Sequence, residues 1–242
     1  MPRLYLDQPL ATGSEFDLPE QAARHVQVLR LQPGDALGLF NGQGGEYLAT
    51  VLEMGKRHVK VAITSHLAEE RESPLAMTLV QALSATERMD YTVQKATELG
   101  YSEIHIVQSA FCGYKLAADR VEKRVAHWAA VAAAAAEQCG RTRVPLIRPP
   151  QRFDQWLASA PAADLKLLLS PIGAVGLDAL PGKAESVQIL VGPEGGFSAD
   201  EEAAAVAAGF TALVLGPRLF RTETVAPVVG ALLQARYGDF RR

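Results

Sequence analysis

The sequence lacks the features that mark a membrane protein, a secreted protein or a polyanion coat. No apolar run reaches the ~18–20 residues that a bilayer-spanning helix needs. The start, Met1-Pro2-Arg3-Leu4-Tyr5, has no apolar stretch of the secretory-signal kind. Only two cysteines are present, Cys112 and Cys139, spaced like neither a zinc site nor a redox pair. Reduced thiols in a cytoplasmic protein are therefore expected. Charge of either sign is not in excess: 24 Lys+Arg face 27 Asp+Glu, a formal net of −3. That excludes a strongly basic chain coating nucleic acid without selectivity, but not a local basic patch. The middle third, residues 73–152, holds ten Lys+Arg and seven Asp+Glu, and is the third best suited to a polyanion.

What is present is ordinary globular material. The 242 residues, 48% hydrophobic, suffice for one to two domains at about 150 residues each. The first 65 or so read as short strands around one helix. Strands are expected at residues 3–6, 15–18, 35–40, 46–53 and 57–64. Pro19 opens a helix over 20–29. Asn41-Gly42 marks a hairpin. The charged stretch 67–74, ending in Pro74, reads as a linker between a small barrel (1–70) and a second domain (75–242).

From residue 75 strands alternate with helices. Strands are expected at 77–83, 103–107, 144–147, 166–169, 187–191 and 211–215, and helices at 90–99 and 119–138. Ser198 and Glu201 form a capping-box pattern for another helix ending at Gly209. A last helix runs to about Arg236. Because Pro227 lacks an N–H, that helix is expected to start no earlier than Thr224. The alternation predicts an α/β fold with an open, mostly parallel sheet, whose ligands bind outside the strands' carboxyl ends.

Three loops follow such strand ends: Leu167-Leu168-Leu169-Ser170-Pro171; Gly192-Pro193-Glu194-Gly195-Gly196-Phe197; and Leu215-Gly216-Pro217-Arg218-Leu219-Phe220-Arg221-Thr222-Glu223-Thr224. The second exposes main chain to a ligand, yet no Gly-Lys-Ser/Thr follows and no G-x-G-x-x-G occurs, which argues against nucleotide and dinucleotide chemistry. In the third, two arginines and Glu223 crowd a strand-to-helix junction suited to an anion or a developing oxyanion.

Gln138-Cys-Gly-Arg-Thr-Arg-Val-Pro145, Leu190-Val-Gly-Pro-Glu-Gly-Gly-Phe-Ser198 and Leu215-Gly-Pro-Arg-Leu-Phe-Arg-Thr-Glu-Thr224 resemble the motifs of the RsmE-type 16S ribosomal RNA methyltransferases. Arg88-Met89-Asp90 with Gln94-Lys95-Ala-Thr-Glu-Leu-Gly100 is similar as well, as are Arg24-His25-Val26, Val28-Leu-Arg-Leu31 and Gly34-Asp35. The resemblance spans nearly the whole chain. It implies a PUA-like barrel followed by a SPOUT-class domain with a C-terminal trefoil knot, working as a homodimer without a metal. It further implies S-adenosylmethionine as methyl donor and N3 of one uridine, in the assembled small ribosomal subunit, as acceptor. Two stretches depart from the family pattern: Val225-Ala226-Pro227, where small residues are usual, and Ala110-Phe111-Cys112-Gly113-Tyr114-Lys115, which leaves RNA contacts of that loop open.

On this reading Leu168, Ser170, Gly192, Pro193, Glu194, Gly195, Gly196, Leu215, Gly216, Leu219, Thr222 and Thr224 would surround the cofactor. Arg221 would stabilise charge spreading to the uracil oxygens. Glu223, and after it Glu194, would accept the N3 proton. Equally, Glu223 would serve only to orient Arg221. Arg24, His25, Arg30, Arg88, Lys95, Arg141 and Arg143 would contact RNA, chiefly its phosphates. The competing reading is a non-catalytic RNA-binding protein of ribosome assembly, which would have no affinity for S-adenosylmethionine.

Overall fold

The computed structural model of the chain describes residues 1–240 apart from Lys115, Pro171 and Gly173. Lys115, which closes the departing 110–115 loop, and Pro171, in the first strand-end loop, thus lie outside the described residues. The chain forms two compact units, residues 1–72 with 133–144, and residues 73–132 with 145–242.

In the first unit, β1 (Arg3–Tyr5), β2 (Glu15–Asp17), β3 (Ala36–Phe40), β4 (Glu46–Met54) and β5 (Val59–Leu67) make a sheet in the order β1-β3-β4-β5-β2. Only β1 and β3 pair in parallel. Alternation decides the inward face: Val59, Val61 and Ile63 of β5 are buried, with Ala49 and Val51 of β4 and Leu37 and Leu39 of β3. Helix α1 (Glu20–Val28) covers this core with Ala23 and Val26. Strand β5 runs three residues past the expected Thr64, because its whole length pairs with β4, and so takes Leu67 out of the expected linker.

The second unit carries a six-stranded sheet, every adjacent pair parallel. Its strands are β6 (Ala76–Ala82), β7 (Tyr101–Gln108), β8 (Leu146–Arg152), β9 (Leu165–Leu169), β10 (Ser186–Val191) and β11 (Thr211–Leu213), in the order β11-β9-β10-β6-β7-β8. The central strands β6 and β10 are apolar nearly throughout, as strands covered on both faces must be. The helices are α2 (Thr86–Glu98), α3 (Val121–Cys139), α4 (Phe153–Ala158), α5 (Ala199–Ala207) and α6 (Thr222–Tyr237). The chain direction of strand order reverses between β6 and β10, which puts a crevice at their carboxyl ends.

Four expectations need correction. Strand β8 begins at Leu146 rather than Val144 and continues through Pro149 and Pro150. Those prolines are tolerated because β8 is an edge strand and owes hydrogen bonds only to β7. Helix α4 then starts at Phe153, buried with Trp156, where no helix was expected. Helix α2 starts four residues before the expected Asp90, behind Ala85, which offers no side-chain cap. Helix α6 starts at Thr222, not Thr224, and holds Pro227 inside. The Thr222 hydroxyl donates to the Gly192 carbonyl at 2.7 Å and accepts from Gln81 Nε2 at 2.9 Å, and these buried bonds fix the first turn despite the bond that Pro227 cannot make.

Candidate functional site

At the carboxyl ends of β9 and β10 lies a cavity of about 700 Å³. Its walls come from all three loops singled out in the sequence: Leu169 and Ser170; Val191 to Phe197; and Leu219 to Glu223, with Val225. A smaller hollow of about 300 Å³ adjoins it, lined by Leu213 to Phe220 and sharing Leu169, Ser170 and Val225. The size suits a ligand of cofactor dimensions.

The glycine-rich loop is shaped by its own packing. A Cβ on Gly192 would stand 3.3 Å from both Gly196 Cα and the Phe197 ring, and one on Gly195 would stand 3.1 Å from Phe111 Cβ. Main chain therefore forms this wall because side chains do not fit behind it. The loop leads into α5, whose capping box holds both ends: the Ser198 hydroxyl accepts from the Glu201 amide at 3.2 Å and the Ser198 amide donates to Glu201 Oε2 at 2.9 Å.

Three glutamates, Glu194, Glu202 and Glu223, and two arginines, Arg88 and Arg221, line the larger cavity. Arg218 lines the adjoining hollow, so across the two hollows three carboxylates face three guanidinium groups. Arg88 stands in the first turn of α2 and joins two of the loops. It donates to Glu194 Oε1, and its Nε lies 3.8 Å from Glu223 Oε2. That Glu223 oxygen is buried and has no hydrogen-bond partner. A carboxylate oxygen held only by a long ion pair retains acceptor capacity. Arg221, exposed on the wall, meets no ion-pair partner among the described residues.

The expected site residues divide as follows. Ser170, Gly192, Pro193, Glu194, Gly195, Gly196, Leu219, Arg221, Thr222 and Glu223 come together on the larger cavity. Leu215 and Gly216 line the smaller hollow. Leu168 is buried in the sheet and lines neither; its neighbour Leu169, pointing to the opposite face, is the wall residue. Thr224, on the first turns of α6, is likewise absent from both linings. Gln81, Phe197, Glu202, Phe220 and Val225 were not foreseen. Gln81 alone carried a signal, a fully buried polar residue within an apolar strand.

The expected RNA contacts fall into three environments. Arg24, His25 and Arg30 are exposed at α1, where Arg24 pairs with Glu20 at 3.0 Å. Arg30 takes φ 57°, a left-handed residue closing that helix. Lys95 is engaged by Glu98 at 2.8 Å. Arg141 is buried, its Nε 3.0 Å from both Glu72 oxygens, and Arg143 meets Glu70 at 2.9 Å. Burial alone would raise the Glu70 carboxyl. The bonds from the Thr142 hydroxyl and Arg143 outweigh it and hold the group below the usual carboxylate value. These two arginines are occupied in tying residues 70–72 to the turn after α3. Arg88 belongs to the cavity rather than to an open basic face.

No helix among the described residues is long and apolar enough to cross a membrane, and no cluster of side chains able to hold a metal ion occurs among them.

A family model described as an RNA methyltransferase domain matches residues 71–234, and one described as an RNA methyltransferase PUA domain matches residues 18–64. Ribosomal RNA small subunit methyltransferase E of Buchnera aphidicola subsp. Schizaphis graminum is 30% identical over 240 residues, covering 99% of this chain and 98% of the relative. The crystal structure of a ribosomal RNA small subunit methyltransferase E from Neisseria gonorrhoeae bound to S-adenosyl methionine superposes with a TM-score of 0.93 at 37% identity, over 99% of each chain. The Legionella pneumophila protein Lpg2936, in complex with the bound cofactor SAM, gives a TM-score of 0.94 at 37% identity, over 98% of each chain.

Proposed function

Because the chain belongs to the ribosomal RNA small subunit methyltransferase E family, we propose that it transfers a methyl group from S-adenosylmethionine to N3 of a uridine in 16S ribosomal RNA, within the assembled small subunit. One observation carries the reading: a cavity of about 700 Å³ with main-chain walls, in which Arg88 stands between Glu194 and Glu223 and Arg221 stands free of any ion-pair partner among the described residues. Bound there, S-adenosylmethionine supplies an activated methyl group, so the protein's tasks are positioning and electrostatics.

The residues present suit that ligand. The glycine-rich main chain, Leu169, Leu219 and Val225 would hold it across the two hollows. Uracil N3 carries a proton and attacks well only as that proton leaves. The negative charge then spreads to O2 and O4. Arg221 would stabilise it, having no competing carboxylate. Glu223 would accept the proton, with Arg88 Nε 3.8 Å from its carboxylate positioning it between two loops. Arg24 and His25 on α1, and Arg30 just after it, would supply phosphate contacts from the first unit. The homodimer and the trefoil knot implied by the family resemblance belong to the same proposal, as does a cytoplasmic site of action.

The test is a modification map. Small subunits from a strain lacking the gene are incubated with the purified protein and S-adenosylmethionine, and the 16S ribosomal RNA is mapped by mass spectrometry. Appearance of 3-methyluridine at one position supports the reading. No methylation, or methyl at another atom, overturns it.

A further inference from the structure

We propose that Phe111 is a stacking platform for a nucleobase of the RNA, that of the nucleotide flanking the methylated one. The proposal rests on the methyltransferase reading above and extends it to a residue outside the cavity lining.

Phe111 occupies the corner of a tight turn leaving β7, closed by the Cys112 amide donating to the Ser109 carbonyl at 3.3 Å. Phe111 is 54% exposed. A lone exposed apolar side chain is commonplace. This one is fixed from three directions. The Ala110 amide donates to Glu201 Oε1 at 2.8 Å, the same carboxylate that closes the capping box of α5. The Cys112 thiol is buried and accepts from the Ser109 amide at 3.3 Å. Phe111 Cβ packs so closely on Gly195 that a side chain there would crowd it. The turn and the glycine-rich wall are thus in direct contact, and Phe111 stands exposed next to a residue that lines the cavity.

The chemistry of the acceptor asks for such a ring. The N3 edge of a uracil is its pairing edge, so the base must leave its stack before it can be alkylated. The neighbour left behind loses a stacking face. An aromatic side chain restores that face without regard to sequence. Phe111 sits behind Gly195 rather than in the cavity, so the flanking nucleotide, not the methylated one, meets it.

Four forms of the full chain test this: wild type, Phe111→Ala, Phe111→Leu and Phe111→Trp. Each is assayed on unmethylated small subunits, with affinity for S-adenosylmethionine measured by calorimetry. Stacking predicts that Ala and Leu raise KM for the subunit about tenfold to a hundredfold, that Trp keeps it within about threefold, and that cofactor affinity stays unchanged in all. Leu performing as well as Trp, Ala leaving KM unaltered, or cofactor affinity falling alongside would each overturn it. A second arm does not need turnover. A benzophenone amino acid at position 111, irradiated on small subunits, is expected to cross-link to ribosomal RNA. Absence of an RNA cross-link overturns the stacking role. Failure of the wild type to methylate overturns the methyltransferase reading instead.

Discussion

Two arginine clusters with the same appearance in sequence behave oppositely in the fold. In the first unit, Arg141 and Arg143 each face a matching carboxylate, and Arg141 is buried with Glu72. At the cavity of the second unit, Arg88 is shared by Glu194 and Glu223, one oxygen of Glu223 keeps no hydrogen bond, and Arg221 has no ion-pair partner among the described residues. A balanced, desolvated pair such as Arg141 with Glu72 holds chain segments together and has nothing left for a ligand. An unbalanced set keeps capacity for one. The partner count around a charge, rather than its position in a motif, separates the arginines engaged within the fold from those proposed to act on a ligand.

The contrast can be broken by substitution. Arg221→Ala should lower methyl transfer about 10²–10³-fold while cofactor affinity changes far less. Equal turnover in steady-state assays would take Arg221 out of the chemistry. Arg141→Ala should do the reverse. It leaves Glu72 half-buried without its cation and should cost about 3 kcal/mol of stability in denaturant unfolding, with kcat of the folded protein retained. A stable Arg141→Ala protein that fails to methylate would erase the distinction. Arg88→Ala should reduce kcat/KM about tenfold, with Arg88→Lys recovering part of it. If Lys and Ala are equivalent, the charge between the loops has no role.

The smallest effect is acid sensitivity of the first cluster. The Glu70 carboxyl lies below its ordinary value of 4.5 when folded, because Thr142 and Arg143 bond it against the pull of burial. Its stabilising contribution is therefore full above about pH 4.5 and is lost as pH falls through the lowered folded value. Glu70→Gln should flatten the decline of Tm on the acid side of that point. An unchanged slope would mean that the bonds from Thr142 and Arg143 do not stabilise the charged form.

Much of this was legible in the sequence, for reasons that differ by element. The alternation of β5, the capping box of α5 and the three strand-end loops depend on local pattern and were readable. The early start of α6 depends on Gln81 and Gly192 reaching Thr222, contacts far away in sequence. Strand β8 was obscured by Pro149 and Pro150, tolerable only because the strand lies at the sheet edge. Leu168 and Leu169 differ only in strand parity, one residue reversing the face, and it is Leu169 that lines the cavity. Arg88 and Arg141 could not be told apart, since only folding reveals which carboxylates stand opposite them. Residues 133–144 cluster with the first unit because Arg3 donates to the carbonyls of Ala136 and Glu137 at 3.1 Å and of Arg141 at 2.8 Å, which no linear boundary at 70–75 expresses.

The most direct measurement is calorimetric titration of the purified chain with S-adenosylmethionine, beside Gly192→Val. Wild type should show one saturable site per chain. In the variant, the added side chain meets Gly196 and Phe197, distorts the wall, and should abolish the heat while the protein remains folded by circular dichroism. A flat wild-type titration, or a variant that binds as tightly as the wild type, would contradict the assignment of this cavity to the methyl donor.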